Sequence, residues 1–223
     1  MKSRSLEPEW LDELPVADPR AVRSRNDLRR VNAIMGNARI IARHLGQARR
    51  IADLGGGDGS LMLAVERRLK RGLEVTIVDW IAGLDVFEFL ATPGKPLDAI
   101  VANLFLHHLT DHDLRRLFSL AAARAPLFIA CEPRRSRFAL GASHLMGLIG
   151  CNDVTRHDAV ISVRAGFSGS ELSAAWPAGE GWSLTEQLAA APHLGLGQAH
   201  RLAHPVEHRA AARVPDPCLD FLL

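Results

Sequence analysis

The stretch Asp53-Leu54-Gly55-Gly56-Gly57-Asp58-Gly59 constrains this chain more than any other. An acid is followed by glycines at every second position, between a β-prone run, Arg49 to Leu54, and a helical pattern opened by Ser60 with Leu61, Ala64, Val65 and Leu69 on one face. Glycine tolerates positive φ and lets a ligand lie against bare backbone at a helix N-terminus. A tight connection without a ligand would use the same residue types. Strand, acid, spaced glycines and helix nevertheless occur in the order a ligand-binding turn requires.

The neighbouring segments predict the sheet that would carry such a turn. Glu74 to Val78 is β-branched and apolar and ends at Asp79, Leu97 to Leu104 is another strand, and Leu127 to Cys131 a further one running into Glu132-Pro133. Thr110 with Asp113 forms a capping box for a helix with Leu114, Leu117, Phe118 and Ala121 along one stripe. Strand and helix alternate, which predicts an α/β fold, a doubly wound and mostly parallel sheet with helices on both faces. Before it, residues 1–47 read as an N-terminal helical segment, with Asn26 or Asp27 as a cap and Gly36-Asn37 as a break.

Composition excludes other classes. In 223 residues, 27 basic side chains face 25 acidic ones, and the resulting net charge of +2 gives no field for gathering nucleic acid. Cys131, Cys151 and Cys218 follow no zinc or disulfide spacing and suit a reducing, cytoplasmic setting. Met1 to Trp10 lacks the apolar core of a secretory signal, and Ala139 to Cys151, interrupted by His144, falls short of the roughly 20 residues of a spanning helix, so no membrane insertion is expected. His200, His204 and His208 repeat at helical spacing, but Pro205 breaks that helix, and no metal site is read there.

The acid followed by G-x-G-x-G, Asp53, Gly55, Gly57 and Gly59, resembles the first motif of the class I S-adenosylmethionine-dependent methyltransferases. The similarity continues in Asn103-Leu104-Phe105-Leu106-His107-His108-Leu109, which resembles their fourth-strand motif, and in Phe167-Ser168-Gly169-Ser170-Glu171-Leu172, which resembles the turn opening a late helix. The strings CEPRRS, GCNDVTRHD and SVRAGF are similar to a group of bacterial small-molecule methyltransferases, over about residues 25–185. The resemblance implies a Rossmann-like domain at 48–187, a helical cap insertion at about 136–165 after the fifth strand, and a tail, 188–223, which itself reads as irregular. It implies S-adenosyl-L-methionine as cofactor, with the glycine turn at its methionine end, Asp79 on the ribose hydroxyls, Asp85 near the adenine amino group, and Asn103 and Leu104 beside the cofactor. A small, aromatic or polyketide-like acceptor would be methylated, with no nucleic-acid partner; a homo-oligomer is left open. A non-catalytic binding module on a degenerate methyltransferase fold is the alternative. A nicotinamide dehydrogenase fits less well, because Ser60 stands where a dinucleotide turn needs its third glycine.

Two places depart from the family. Asp79 and Asp85 are too close for a crossover helix, which needs at least about 10 residues, so Trp80 to Leu84 is expected to be a tight link beside an open adenine side. Trp80 could stack on adenine, although a core tryptophan is the plainer expectation. The antiparallel hairpin that ends the family's sheet has its first strand at Gly181 to Glu186, and no final strand can be placed. For proton removal the candidates are His107 and His108, just past the fourth strand, and His157, in Thr155-Arg156-His157-Asp158. Two of them have plain alternatives, a structural hydrogen bond for His108 and a solvated polar turn for His157. Arg134, Arg135 and Arg137 read as a solvated loop.

Overall fold

The parallel strands send alternate residues to opposite faces, and the inner ones are apolar on both. In the computed structural model, which describes residues 3–177, 182–190 and 197–205, those strands are β1 (Arg50–Leu54), β2 (Glu74–Val78), β3 (Ala99–Asn103) and β4 (Phe128–Pro133). Ala52, Leu54, Ile100, Ala102, Phe128 and Ala130 face one side. Ile51, Ala99, Val101, Ile129 and Cys131 face the other. Buried on both faces, β1, β3 and β4 lie inside the sheet with helices above and below, whereas β2, buried only at Val78, is an edge.

Those helices cover the two faces in turn. Helices α3 (Asn37–His44) and α4 (Ser60–Leu69) bring Ala38, Ile41, Met62 and Val65 to one side. On the other, α5 (Val86–Ala91), α6 (Asp111–Arg124) and α9 (Glu171–Ala174) bring Leu90, Leu114, Leu117, Phe118 and Leu172, with Trp176 packed on Phe118 and Phe128. The strand order is β2-β1-β3-β4-β6-β5, and the first four strands run parallel. The expected doubly wound α/β fold is present. None of the helices among the described residues is long and apolar enough to cross a membrane.

The sheet continues beyond where the sequence suggested. β5 (Trp182–Ala190) and β6 (Gly197–Pro205) form an antiparallel pair, and β6 lies antiparallel to β4 from Phe128↔Ala203 to Pro133↔Gln198. The expectation of an irregular tail from residue 188 is corrected by these strands; residues 206–223, His208 among them, lie outside the described residues. β6 reads GQAHRLAHP, without apolar alternation, so its strand character comes from pairing on both edges.

The N-terminal segment and the insertion after β4 pack on each other. α1 (Trp10–Glu13) and α2 (Pro19–Met35) contact α8 (Asp153–Ala165), which follows α7 (Arg137–His144) and a 3₁₀ turn, Leu145–Ile149. α2 starts earlier than its sequence suggested, because Asp18 accepts from Arg20 N and Pro19 fills the first turn. It ends at Gly36, in the left-handed conformation, where a break was expected. Asp27 is no cap: it is buried against Arg30, Thr155 and the Asn152 amide. The segment around His157 is helical rather than a solvated turn, since Asn152 caps α8 by accepting from Thr155 N. Arg135 is likewise not solvated, being buried and donating to Gly166 O and Glu171 Oε1.

Candidate functional site

The carboxyl ends of β1, β2 and β3 open into a cavity of about 750 Å³, where ligands sit in open α/β sheets. Its floor is the turn after β1. Gly55, Gly57 and Gly59 all have positive φ, at 67°, 54° and 73°. At Gly55 a Cβ would come within 2.5 Å of Phe105, so only glycine fits. At Gly57, which lines the cavity, a Cβ would meet nothing within 4 Å. The Gly57 amide donates to Asp79 Oδ2 at 2.9 Å, and Asp79 Oδ1 accepts from Ile81 N at 2.9 Å. Asp79 thus ties the glycine turn to the end of β2 while lining the cavity.

Asp53 is the unusual group. It is 1% exposed, lines the cavity, and neither carboxylate oxygen has a hydrogen-bond partner among the described residues. Burial, and then the charge of Asp79, pushes its pKa up to about 7 from 3.8. A buried, unsatisfied acid is expensive to keep and is expected where a ligand completes it. The raised pKa means that the acid favours folding when protonated, below pH 4, and that this advantage is lost as pH rises through 7. Holding it ionised at pH 8 costs about 4 kcal/mol, and a buried Asn amide keeps part of that cost. Asp53→Asn is therefore expected to stabilise the ligand-free protein by about 2 kcal/mol at pH 8, with the gain shrinking towards pH 4. Urea unfolding of both proteins across that range measures it; a variant less stable at pH 8 would contradict the assignment.

The link after β2 is short, with one 3₁₀ turn at Trp80–Ala82 that ends at Gly83 in the left-handed conformation. Trp80 is 56% exposed and lines the cavity, so the expectation of a core tryptophan is corrected. Asp85 also lines the cavity and caps α5, its Oδ1 accepting from Phe87 N and Glu88 N at 2.9 Å. Beyond β2 no strand pairs with the sheet among the described residues, and Trp80, Ile81 and Gly83 to Val86 form the cavity wall on this side.

The β3 side is built from polar contacts. Asn103 Oδ1 accepts from Asn37 Nδ2 at 2.7 Å, and its Nδ2 donates to Asn32 Oδ1 at 3.1 Å. Leu104 has φ 53° and sits beside it on the cavity wall, backbone strain of the kind found at ligand sites. Sequence reasoning missed the opposite wall, Leu11 and Asp12 from α1 and Arg25, Leu28, Arg29 and Asn32 from α2. The inward face of α2 mixes arginine and asparagine with one leucine, so no apolar period marks it.

The three candidate histidines separate. His107 is buried and does not line the cavity. Its Nδ1 lies 2.8 Å from Glu132 Oε2, and its Nε2 lies 3.4 Å from Glu9 Oε1 without hydrogen-bond alignment. Burial opposes its charge, yet the two carboxylates raise its pKa to about 9, which keeps an imidazolium there. Glu132, fully buried, also accepts from the amides of Phe105, Leu106 and His107. Glu132→Gln removes the charge opposite His107 and turns one acceptor oxygen into a donor facing donors. A loss of about 2 kcal/mol in unfolding free energy is expected from urea titration; an unchanged midpoint would contradict this role. His157 lies outside the cavity, stacked on Trp10 at 3.7 Å and paired with Asp158 at 2.9 Å. His108 alone of the three lines the cavity. Burial and the His107 charge lower its pKa, and its Nδ1 lies 3.7 Å from Asp12 Oδ2.

No protein-family model matches the sequence, and no curated protein resembles it significantly in sequence. Solved structures do match in fold. Human N-acetylserotonin methyltransferase in complex with SAM superimposes with a TM-score of 0.55 at 16% identity, over 87% of this chain and 61% of that one. The chain thus spans about three fifths of that protein's length. The plantazolicin methyltransferase BamL, bound to SAH and a desmethyl-plantazolicin analogue, gives 0.61 at 11% identity, over 87% and 92% of the two chains. The mitomycin 7-O-methyltransferase gives 0.55 at 19% identity, over 87% and 60%. Sheet, glycine turn and neighbours agree that this chain has the fold of the S-adenosylmethionine-dependent methyltransferases.

Proposed function

We propose that this chain is a methyltransferase that uses S-adenosyl-L-methionine on a small, aromatic or polyketide-like acceptor. The observation that carries the reading is Asp53, a buried carboxylate without a hydrogen-bond partner, beside a glycine turn open to the cavity at Gly57. A cofactor with a cationic amino group and a sulfonium supplies the positive charge that such a carboxylate lacks. When bound, it supplies an electrophilic methyl group. Gly55, Gly57 and Gly59 would admit its methionine end, and Asp79, with two lone pairs on each oxygen, can accept from a ribose diol while keeping Gly57 N and Ile81 N. Asp85 keeps Oδ2 for an adenine amino group, and Trp80, largely exposed, lines the same cavity. Asn103 and Leu104 complete the wall by β3.

Methyl transfer is an in-line displacement, so the chain has to align an acceptor and, for a hydroxyl, take its proton. Leu11, Leu28, Ile81 and Leu84 give the cavity apolar walls suited to a flat, weakly polar acceptor. His108, which lines that cavity, receives the proton in this reading. His107 serves the site from behind, holding the turn that carries His108 through Glu132. Incubation with methyl-labelled cofactor and a panel of phenols, hydroxy-polyketides and amines tests the reading. Labelled phenol or polyketide product is expected, and label on amines alone would overturn the acceptor class.

A further inference from the structure

We propose that Glu9, His107 and His108 form a site for one divalent transition metal of the zinc class, set in the cavity wall. The ligand atoms of the three residues lie within 4.8 Å of one another. The central contact has the spacing a metal needs. His107 Nε2 and Glu9 Oε1 are 3.4 Å apart, and two ligands on tetrahedral zinc, at about 2.0–2.1 Å from the ion, stand about 3.4 Å from each other.

The surroundings fit as well. His107 is 2% exposed, and its Nε2 has no hydrogen-bond partner among the described residues. Its other nitrogen is 2.8 Å from the buried Glu132 carboxylate. A carboxylate behind a histidine fixes ring and tautomer so that the opposite nitrogen meets a metal. Glu9 is oriented by Ser162, whose hydroxyl donates to Oε1. His108 is part-exposed, its ring centroid 4.3 Å from that of His107 with the planes tilted by 35°. Binding requires His108 to turn its nitrogen onto the ion. Glu9, Glu132 and Asp12 place three carboxylates around two imidazoles, so an added cation meets net negative charge. Two nitrogens and one oxygen select zinc, cobalt or nickel over magnesium and calcium.

On binding, the metal replaces any proton on His107 Nε2, which leaves to solvent, and takes the lone pair of His108. The fourth position opens towards the cavity, which Glu9 and His108 line. A second consequence rests on the methyltransferase reading: a metal on His108 removes the base, so zinc inhibits transfer to a hydroxyl. The site would then make activity sensitive to free zinc.

Cobalt titration of the chelator-stripped, full-length chain tests the site without any need for turnover. A visible d–d absorption saturating at one cobalt per chain is expected, displaced by zinc. His108→Ala and Glu9→Gln, each checked for native near-ultraviolet circular dichroism, should weaken binding by at least about 10–100-fold. No cobalt spectrum in the wild type, or an unchanged affinity in folded His108→Ala, would overturn the site and leave Glu9 and His107 as a plain ion pair. Zinc inhibition in the labelled-methyl assay is read separately, so a chain that binds cobalt but methylates nothing refutes the methyltransferase reading and leaves the metal site standing.

Discussion

Gly57→Val is expected to lower affinity for S-adenosylhomocysteine by about 10³-fold while the protein stays folded. The loss follows from the place of Gly57 in the cavity lining. A Cβ there would meet no protein atom within 4 Å, so a branched side chain adds no clash with the protein and takes up room beside the ligand. With φ at 54°, valine adds backbone strain of about 1–2 kcal/mol, a few degrees of melting temperature. Gly57 N also donates to Asp79, so a shift of this turn displaces a second ligand group. Calorimetry paired with thermal unfolding separates the effects. A folded variant with wild-type affinity would move the ligand away from the turn.

His108→Ala is the second large effect. With a phenol or alcohol acceptor and chelator present, the maximal rate should fall by about 10²–10⁴-fold while cofactor affinity stays within about twofold. The reason is position: of the three candidates, His108 alone lines the cavity, whereas His107 is buried between Glu9 and Glu132 and His157 stacks on Trp10 and pairs with Asp158 outside it. His157→Ala should leave the rate within about threefold, because its ring meets a second, smaller cleft on the α8 side. Single-turnover rates with saturating cofactor measure both. A rate unchanged in His108→Ala but lost in His157→Ala would reverse the assignment.

The parts legible in the sequence are those built from local chemistry. The turn after β1 announces itself because each glycine meets a local demand, a close approach to Phe105 at Gly55 or a left-handed cap at Gly59. The central strands show as apolar runs because both faces are covered. The short link after Asp79 is legible as a matter of length, and the structure fills it with a single 3₁₀ turn. What was hidden depends on partners far along the chain. Arg135 looks solvated until Glu171 and Gly166 O are brought to it, and Asp27 looks like a cap until α8 arrives. The cavity wall on α2 is hidden for a related reason. Arg25, Arg29 and Asn32 are ordinary surface residues until the glycine turn faces them. β6 gains its structure from β4 and β5, and nothing in its own alternation marks it.

The buried acid and the open turn make ligand binding the property to measure first. Isothermal titration of the full chain with S-adenosylhomocysteine, at a pH above 7 where Asp53 is ionised, tests it most directly. One molecule per chain with micromolar affinity is expected, weakening as pH falls below 7 because Asp53 takes up a proton. No heat of binding at millimolar ligand, with the protein folded, would contradict the assignment of this cavity to the cofactor.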